Sequence, residues 1–389
     1  MNKFKYYFVL LLAGIAIVSC NKKDDDDVVV EPLKDYQEQF NVDNADIEEY
    51  LNTNYITVDE ATMDVTMSKI TTPASQPSIM SYLNSATFPK LLLREIDVHG
   101  IKYKMYYLVL REGTGLAPMN TDGVVTAYKG EYLKRVAKTD TEPEHLTTTF
   151  FEQVVNPTGM LDLYSTIVGW SEVFPQFKTG TTSYNADGSA NYQDFGAGVL
   201  FIPSGLAYYA YPPSASSIPA YSPLIFSIKL YNIQRLDHEN NGYTSAGVLI
   251  PNPDGVFDYQ EDINGDGYVR DYRNKTLYPN PPATNPDDTD GDGIPDFLDQ
   301  DDDGDGYTTK LEITKPTDQV GWGTLEGQPF YFGLSKYYPF DPVSDNPNTP
   351  NVDETEPRGI PAFSASGTPD YTSPGRLRIH VDKDHHTAK

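Results

Sequence analysis

A formal charge of −27 over 389 residues sets this chain against nucleic acid and other phosphate-rich partners and favours cations. That length calls for two or three domains, and 29 Tyr, 30 Pro and 29 Gly favour turn-rich β structure over helical bundles. One cysteine excludes an internal disulfide, and no Gly-rich phosphate loop, His-Glu-x-x-His zinc motif or Gly-x-Ser-x-Gly elbow is present.

Lys3 and Lys5 precede an apolar run, Phe8 to Val18, that is short for a bilayer span. It ends Ile17-Val18-Ser19-Cys20, which looks like a bacterial lipobox. Residues 1–20 are expected to be a lipoprotein signal peptide, with lipid on Cys20 anchoring the chain to a membrane. Residues 21–40 follow as an acidic tether. Its first part, Asn21-Lys22-Lys23-Asp24-Asp25-Asp26-Asp27, is kept extended by like-charge repulsion. It resembles the export tag of Bacteroidetes lipoproteins, which implies an outer-membrane, cell-surface location.

Residues 41–102 form an N-terminal segment. Asp43 or Asn44 is expected to cap a short helix to Leu51, with Ile47, Tyr50 and Leu51 on one face. Tyr55 to Ala86 is Thr/Ser-rich and takes no assignment. Tyr103 to Arg111 reads as a strand rich in aromatic and β-branched residues, closed by Glu112-Gly113-Thr114-Gly115.

Val124 to Gly130 is a second strand, and Phe150-Phe151-Glu152 follows a polar connection. Ile167-Val168-Gly169-Trp170 opens a short amphipathic helix that Pro175 must shorten or kink. A long loop is expected from Thr181 to Gly198, then a strand and turn from Val199 to Tyr208. A Pro/Ser flap reaches Ile218-Pro219, and Leu224 to Leu230 alternates as a closing strand.

In this order Val-x-x-x-Tyr-x-Gly, Ile-x-Gly-Trp, Ile-Pro-Ser-x-Leu-Ala-Tyr, Ile-Pro and Leu-x-Phe-x-Ile-x-Leu resemble the FKBP-type peptidyl-prolyl cis-trans isomerases over about residues 103–236. The resemblance implies an α+β fold, an antiparallel sheet half-wrapped around a short helix. It implies a pocket with Trp170 as floor and Tyr128, Phe151 and Phe226 as walls. The Ile167 N–H and the Tyr208 hydroxyl would hold substrate carbonyls, Glu152 would stand at the family's acidic position, and Ile218 would be the flap contact. Proline-containing polypeptides are the implied clients. Four positions depart from the family. Glu152 replaces its Asp, and Tyr209 replaces a small residue where it could crowd the mouth. Pro157 falls near an expected aromatic, and Pro175 lies in the helix.

Residues 237–320 change to Asp, Asn, Gly and Pro. Asp288, Asp290, Asp292, the Ile294 carbonyl, Asp296 and Asp299 stand at loop positions 1, 3, 5, 7, 9 and 12, with Gly293 at 6. Asp301, Asp303, Asp305, the Tyr307 carbonyl, Thr309 and Glu312 repeat the spacing around Gly306. Such oxygens about a sharp glycine turn suit calcium. Asp262, Asn264 and Asp266 begin a weaker copy with Arg273 at position 12 and Asp271 as an alternative ligand. The copies look like thrombospondin type 3 repeats, which implies an irregular region ordered by structural Ca2+.

Residues 321–389 are Pro/Tyr-rich, with Arg376 to Val381 expected as a last strand and His385 and His386 as a frayed tail. Two other readings stay open. One is a non-catalytic FKBP-scaffold chaperone, which a pocket filled by Tyr209 or Pro157 would favour. The other is a calcium-dependent surface adhesion protein.

Overall fold

The structure, a computed structural model, describes residues 32–321, 332–347, 349 and 353–386. The expected signal peptide, Cys20 and the first part of the tether lie outside the described residues. Among the described residues no helix is long and apolar enough to cross a membrane.

Helix α1 spans Tyr36–Thr53, capped by the Asp35 side chain, which accepts from the Gln37 and Glu38 N–H groups. It therefore starts inside the expected tether and well before the expected cap. Asp43 is mid-helix and buried. The unassigned stretch begins with a hairpin, β1 (Asn54–Asp59) and β2 (Asp64–Lys69).

The main sheet is antiparallel. Its strands are β3 (Lys90–Val98), β4 (Ile101–Arg111), β5 (Gly123–Val136), β6 (His145–Val154), β7 (Leu161–Asp162), β10 (Gly196–Ile202) and β11 (Leu224–Gln234). The order is β3-β4-β10-β11-β5-β6, with β7 beside β5. The sheet thus begins with β3, ahead of the expected boundary at 103. The expected loop after Thr181 is a hairpin, β8 (Thr181–Tyr184) and β9 (Ala190–Gln193), running into β10.

All seven residues of β10 are buried because both faces of the sheet are covered. Leu200 and Ile202 face a core with Trp170, Phe174, Phe177 and Phe226. Val199 and Phe201 alternate to the other face and meet Ile47, Tyr50 and Leu51 of α1. Each such side chain contributes about 1.5–3 kcal/mol by burial. The N-terminal segment therefore closes the face that a half-wrapped sheet would leave open.

Helix α2 is short, Val168–Val173, and passes into a 3-10 turn, Phe174–Gln176, at Pro175. A Cβ on Gly169 would lie 2.5 Å from Ile202 Cγ2, so glycine lets α2 sit against β10.

Beyond Gln234 regular structure is sparse: β12 (Asn240–Tyr243), β13 (Leu249–Pro251), helix α3 (Thr309–Glu312), β14 (Ala362–Phe363) and β15 (Pro369–Asp370). The expected strand Arg376 to Val381 is instead a loop with a 3-10 turn at Ile379–Val381. This region is docked, not tethered. Tyr268 donates its hydroxyl to the Glu172 carbonyl of α2 at 2.9 Å. Asn120 and Val269 exchange hydrogen bonds of 2.8 and 3.0 Å, and Met119, Val269 and Phe297 share a small core.

Candidate functional site

Strand β5 carries Tyr128, β11 carries Phe226, and α2 sets Trp170 between them. The indole meets the Tyr128 and Phe226 rings edge to face, each with centroids 5.1 Å apart. Phe151 stands edge-on behind Phe226 at 5.6 Å. Offset and edge contacts of this kind fix the walls of an apolar box.

The box encloses a cavity of about 440 Å3. Tyr128, Glu152, Ile167, Trp170, Tyr208 and Phe226 line it. Ala207, the motif residue before Tyr208, and Leu161, Ser165, Thr166 and Val168, which carry no motif signal of their own, complete the lining. Phe151 supports the wall from behind, and Ile218 is buried in the adjoining core without lining the cavity.

Three polar groups face this space. Ile167 is extended (φ −65°, ψ 144°) ahead of α2, and its N–H has no partner among the described residues. The Tyr208 hydroxyl likewise makes no hydrogen bond among the described residues, and burial raises its pKa. The Tyr128 hydroxyl donates to Glu152 Oε1 at 2.8 Å, so the longer acid still reaches it. Burial, and then that bond, hold the Tyr128 phenol protonated far above its ordinary range. Trp170 Nε1 is buried without a partner among the described residues.

The departures leave the cavity open. Tyr209 takes a left-handed φ of 51° and turns away, stacking on Tyr36 at 4.4 Å. Neither Tyr209 nor Pro157 lines the cavity. Glu172, on the far side of α2, is clamped by Arg94 (Nε at 3.0 Å, a second nitrogen at 2.8 Å) and by Arg270. Burial pushes its carboxyl up, but the two guanidiniums outweigh this and hold it below its ordinary value.

The three Asp-rich loops share one hydrogen-bond pattern. The position-6 glycine N–H returns to the position-1 aspartate: Gly267 to Asp262 at 2.8 Å, Gly293 to Asp288 at 3.1 Å, Gly306 to Asp301 at 3.0 Å. Gly293 and Gly306 have φ of 98° and 93°, the left-handed region that glycine tolerates. Asp288, Asp290 and Asp292 bring carboxylate oxygens within 4.8 Å of one another, as do Asp301, Asp303 and Asp305.

The second loop fits a cation best. Asp301 and Asp303 each keep a buried oxygen without a hydrogen-bond partner among the described residues, as do both oxygens of Glu312, and the buried Asp305 Oδ2 lies 3.2 Å from His386 Nδ1. Burial, then the neighbouring Asp303, Asp305 and Asp301, raise Glu312 to about 9. Thr309 is fully buried, and its hydroxyl accepts from the Asp302 N–H at 3.5 Å. In the first loop Asp296 is tied to Thr289 at 2.7 and 2.8 Å, and Asp299 accepts from Gln300 and Asp301 N–H groups. In the weak copy Asp271 is engaged by Arg273 at 2.8 Å, and Asn264 donates to Asp287.

Sequence reasoning missed two neighbours of the second loop. Asp382 adds to the negative field on Glu312. His386, expected in a frayed tail, stacks on Tyr307 at 4.2 Å and lies 3.2 Å from Asp305. His385 pairs with Asp382 at 2.8 Å.

An aromatic cavity on a mostly antiparallel sheet with few helices is consistent with an FKBP-like fold. Among solved structures the chain is similar to a peptidyl-prolyl cis-trans isomerase from Pseudomonas syringae pv. tomato, at 17% identity over 52% of this chain and 99% of that one, TM-score 0.28. It is also similar to FkpA from Escherichia coli, at 26% identity over 33% of this chain and 48% of that one, TM-score 0.23. The three FKBP domains of wheat FKBP73 match at 16% identity over 36% of this chain and 51% of theirs, TM-score 0.24. A family described as BamM C-terminal matches residues 252–351. No curated protein matches the chain.

Proposed function

We propose that the chain is a peptidyl-prolyl cis-trans isomerase acting on proline-containing polypeptide segments at the cell envelope. The observation that carries this reading is the open aromatic cavity over Trp170, with an unpartnered Ile167 N–H and Tyr208 hydroxyl at its edge.

The chemistry needs no nucleophile. Amide resonance sets a barrier of roughly 18–20 kcal/mol, and uncatalysed X–Pro exchange takes about tens to hundreds of seconds. The planar amide is more dipolar than the twisted one. An aromatic box walled by Trp170, Tyr128 and Phe226, which sheds water as it takes up the proline ring, would therefore favour the twisted state over the planar one, a difference in binding that lowers the barrier. The Ile167 N–H would hold one substrate carbonyl and the Tyr208 hydroxyl another. Glu152, by accepting from Tyr128, keeps that ring upright against the indole. The scaffold-only reading lacks the support that a Tyr209- or Pro157-filled pocket would give it.

Calcium belongs to the same proposal as a structural ion of the Asp288 and Asp301 loops, where it would neutralise carboxylates that otherwise repel. The lipobox-like Ser19-Cys20 supports anchoring by lipid on Cys20 to the outer membrane, facing the cell surface. A protease-coupled assay on a short X–Pro peptide tests the catalytic reading. The parent chain should accelerate cleavage-limiting isomerisation and the Trp170→Leu variant should not. Equal rates would reject it.

A further inference from the structure

Beside the second repeated loop, five carboxylates meet where the chain leaves the sheet. Asp237 and Glu239 follow β11. Asp254 and Glu261 flank the next turn, and Asp302 reaches in from between two members of the second loop. Asp237, Glu239 and Asp254 place carboxylate oxygens within 4.8 Å of one another, and so do Asp254, Glu261 and Asp302. Glu239, Asp254, Glu261 and Asp302 are each only 1% exposed.

The protein uses three of their oxygens: Asp237 accepts from the Gly255 N–H, Glu239 from the Asp254 N–H and Asp254 from the Val256 N–H. Both oxygens of Glu261, both of Asp302, and one each of Asp237, Glu239 and Asp254 are buried without a hydrogen-bond partner among the described residues. None of the five forms an ion pair among the described residues. Lys310, whose charge acts on Asp254, donates its ammonium to the Pro253 carbonyl at 2.6 Å, and His238 is taken up by Asp162 and Asp258. An ionised carboxylate left unpaired in such a place costs several kcal/mol. Protonation relieves it only in part: an acid hydrogen can pass to a neighbouring carboxylate, as from Glu239 to Asp237, but each carboxyl brings one hydrogen for two oxygens. A hard divalent cation would take up several of these oxygens together, since each set of three carboxylates converges within 4.8 Å. Calcium takes about six to eight oxygen ligands in flexible geometry, whereas magnesium demands a near-ideal octahedron and zinc prefers nitrogen and sulfur.

We propose that Asp237, Glu239, Asp254, Glu261 and Asp302 form a buried calcium centre, separate from the Asp-rich loops, in which Asp254 is shared between two three-carboxylate cradles. None of the five occupies a ligand position of the loop repeats, and the site does not depend on those repeats holding metal. The ion would join the end of β11 to the 254–261 turn and to the second loop, locking the Asp-rich region onto the sheet domain.

The test uses the full chain in detergent with both loops disabled by Asp290→Asn and Asp303→Asn. Equilibrium dialysis followed by elemental analysis should still find bound calcium, and adding Glu261→Gln with Asp302→Asn should remove it. No calcium left after the loop substitutions, or retained calcium indifferent to Glu261→Gln and Asp302→Asn, would overturn the proposal. A second measurement needs no change in the centre. In the loop-disabled chain, calcium should slow amide hydrogen exchange across residues 237–261 at least tenfold, and unchanged exchange would count equally against it.

Discussion

Asp43 and Ser204 are joined twice: one carboxylate oxygen accepts from the Ser204 N–H at 2.8 Å and from its hydroxyl at 2.6 Å. Gln39 donates to the other oxygen at 2.6 Å. The pair ties the middle of α1 to the turn that leads into Ala207 and Tyr208. A residue of the N-terminal segment thereby sets the position of a cavity wall. Asp43→Ala leaves two buried Ser204 donors without an acceptor. Hydrogen bonds to a charged group are worth about 1.5–3 kcal/mol, so chemical denaturation at pH 7 should show a loss of about 3 kcal/mol. A loss under 0.5 kcal/mol would mean that this turn is held by other contacts.

The Tyr208 hydroxyl makes no hydrogen bond among the described residues, so on the proposed reading Tyr208→Phe should leave melting unchanged and lower kcat/KM about fivefold, the worth of one hydrogen bond of about 1 kcal/mol. Steady-state kinetics on an X–Pro peptide would read this. An unaffected kcat/KM would remove Tyr208 from the site.

Much of this wall was legible in the sequence because the motifs are local: Ile167 to Trp170 and Ile202 to Tyr208 each carry their own turn chemistry. What was not legible depends on distant partners. Asp43 looks like a helix cap until Ser204, 161 residues away, is seen to bury it. Strand β3 was passed over although Leu91, Ile96 and Val98 are core residues, because charged residues interrupt its pattern. Glu261 and Asp302 stand outside the loop spacing, and only the fold brings them together at Asp254.

Glu172 predicts an acid-side effect. Its carboxyl is held below its ordinary value, so it binds fewer protons in the folded state than in the unfolded state. The stability it contributes is present above its unfolded pKa, about 4.3, and is lost as pH falls through the lower folded value. Glu172→Gln should cost roughly 3 kcal/mol at pH 7, since it strands Arg94 and Arg270, and the difference from the parent should shrink below pH 4. A gap that stays constant from pH 7 to pH 3 would contradict the ion-pair account.

Calcium should raise the melting temperature of the parent, because a ligand at 100 times its Kd adds about 2.7 kcal/mol. Asp301→Ala with Asp303→Ala should lower melting only when calcium is present. Equal melting of the parent with and without calcium would remove the structural ion from the account.

The central claim is that the cavity over Trp170 turns X–Pro bonds. Its most direct test is two-dimensional NMR exchange on a short X–Pro peptide with catalytic amounts of the chain, with and without a ligand of the FKBP pocket. The account predicts cis/trans exchange fast enough to give cross-peaks, abolished by the ligand. Exchange no faster than that of the free peptide, with no binding of the ligand, would contradict it.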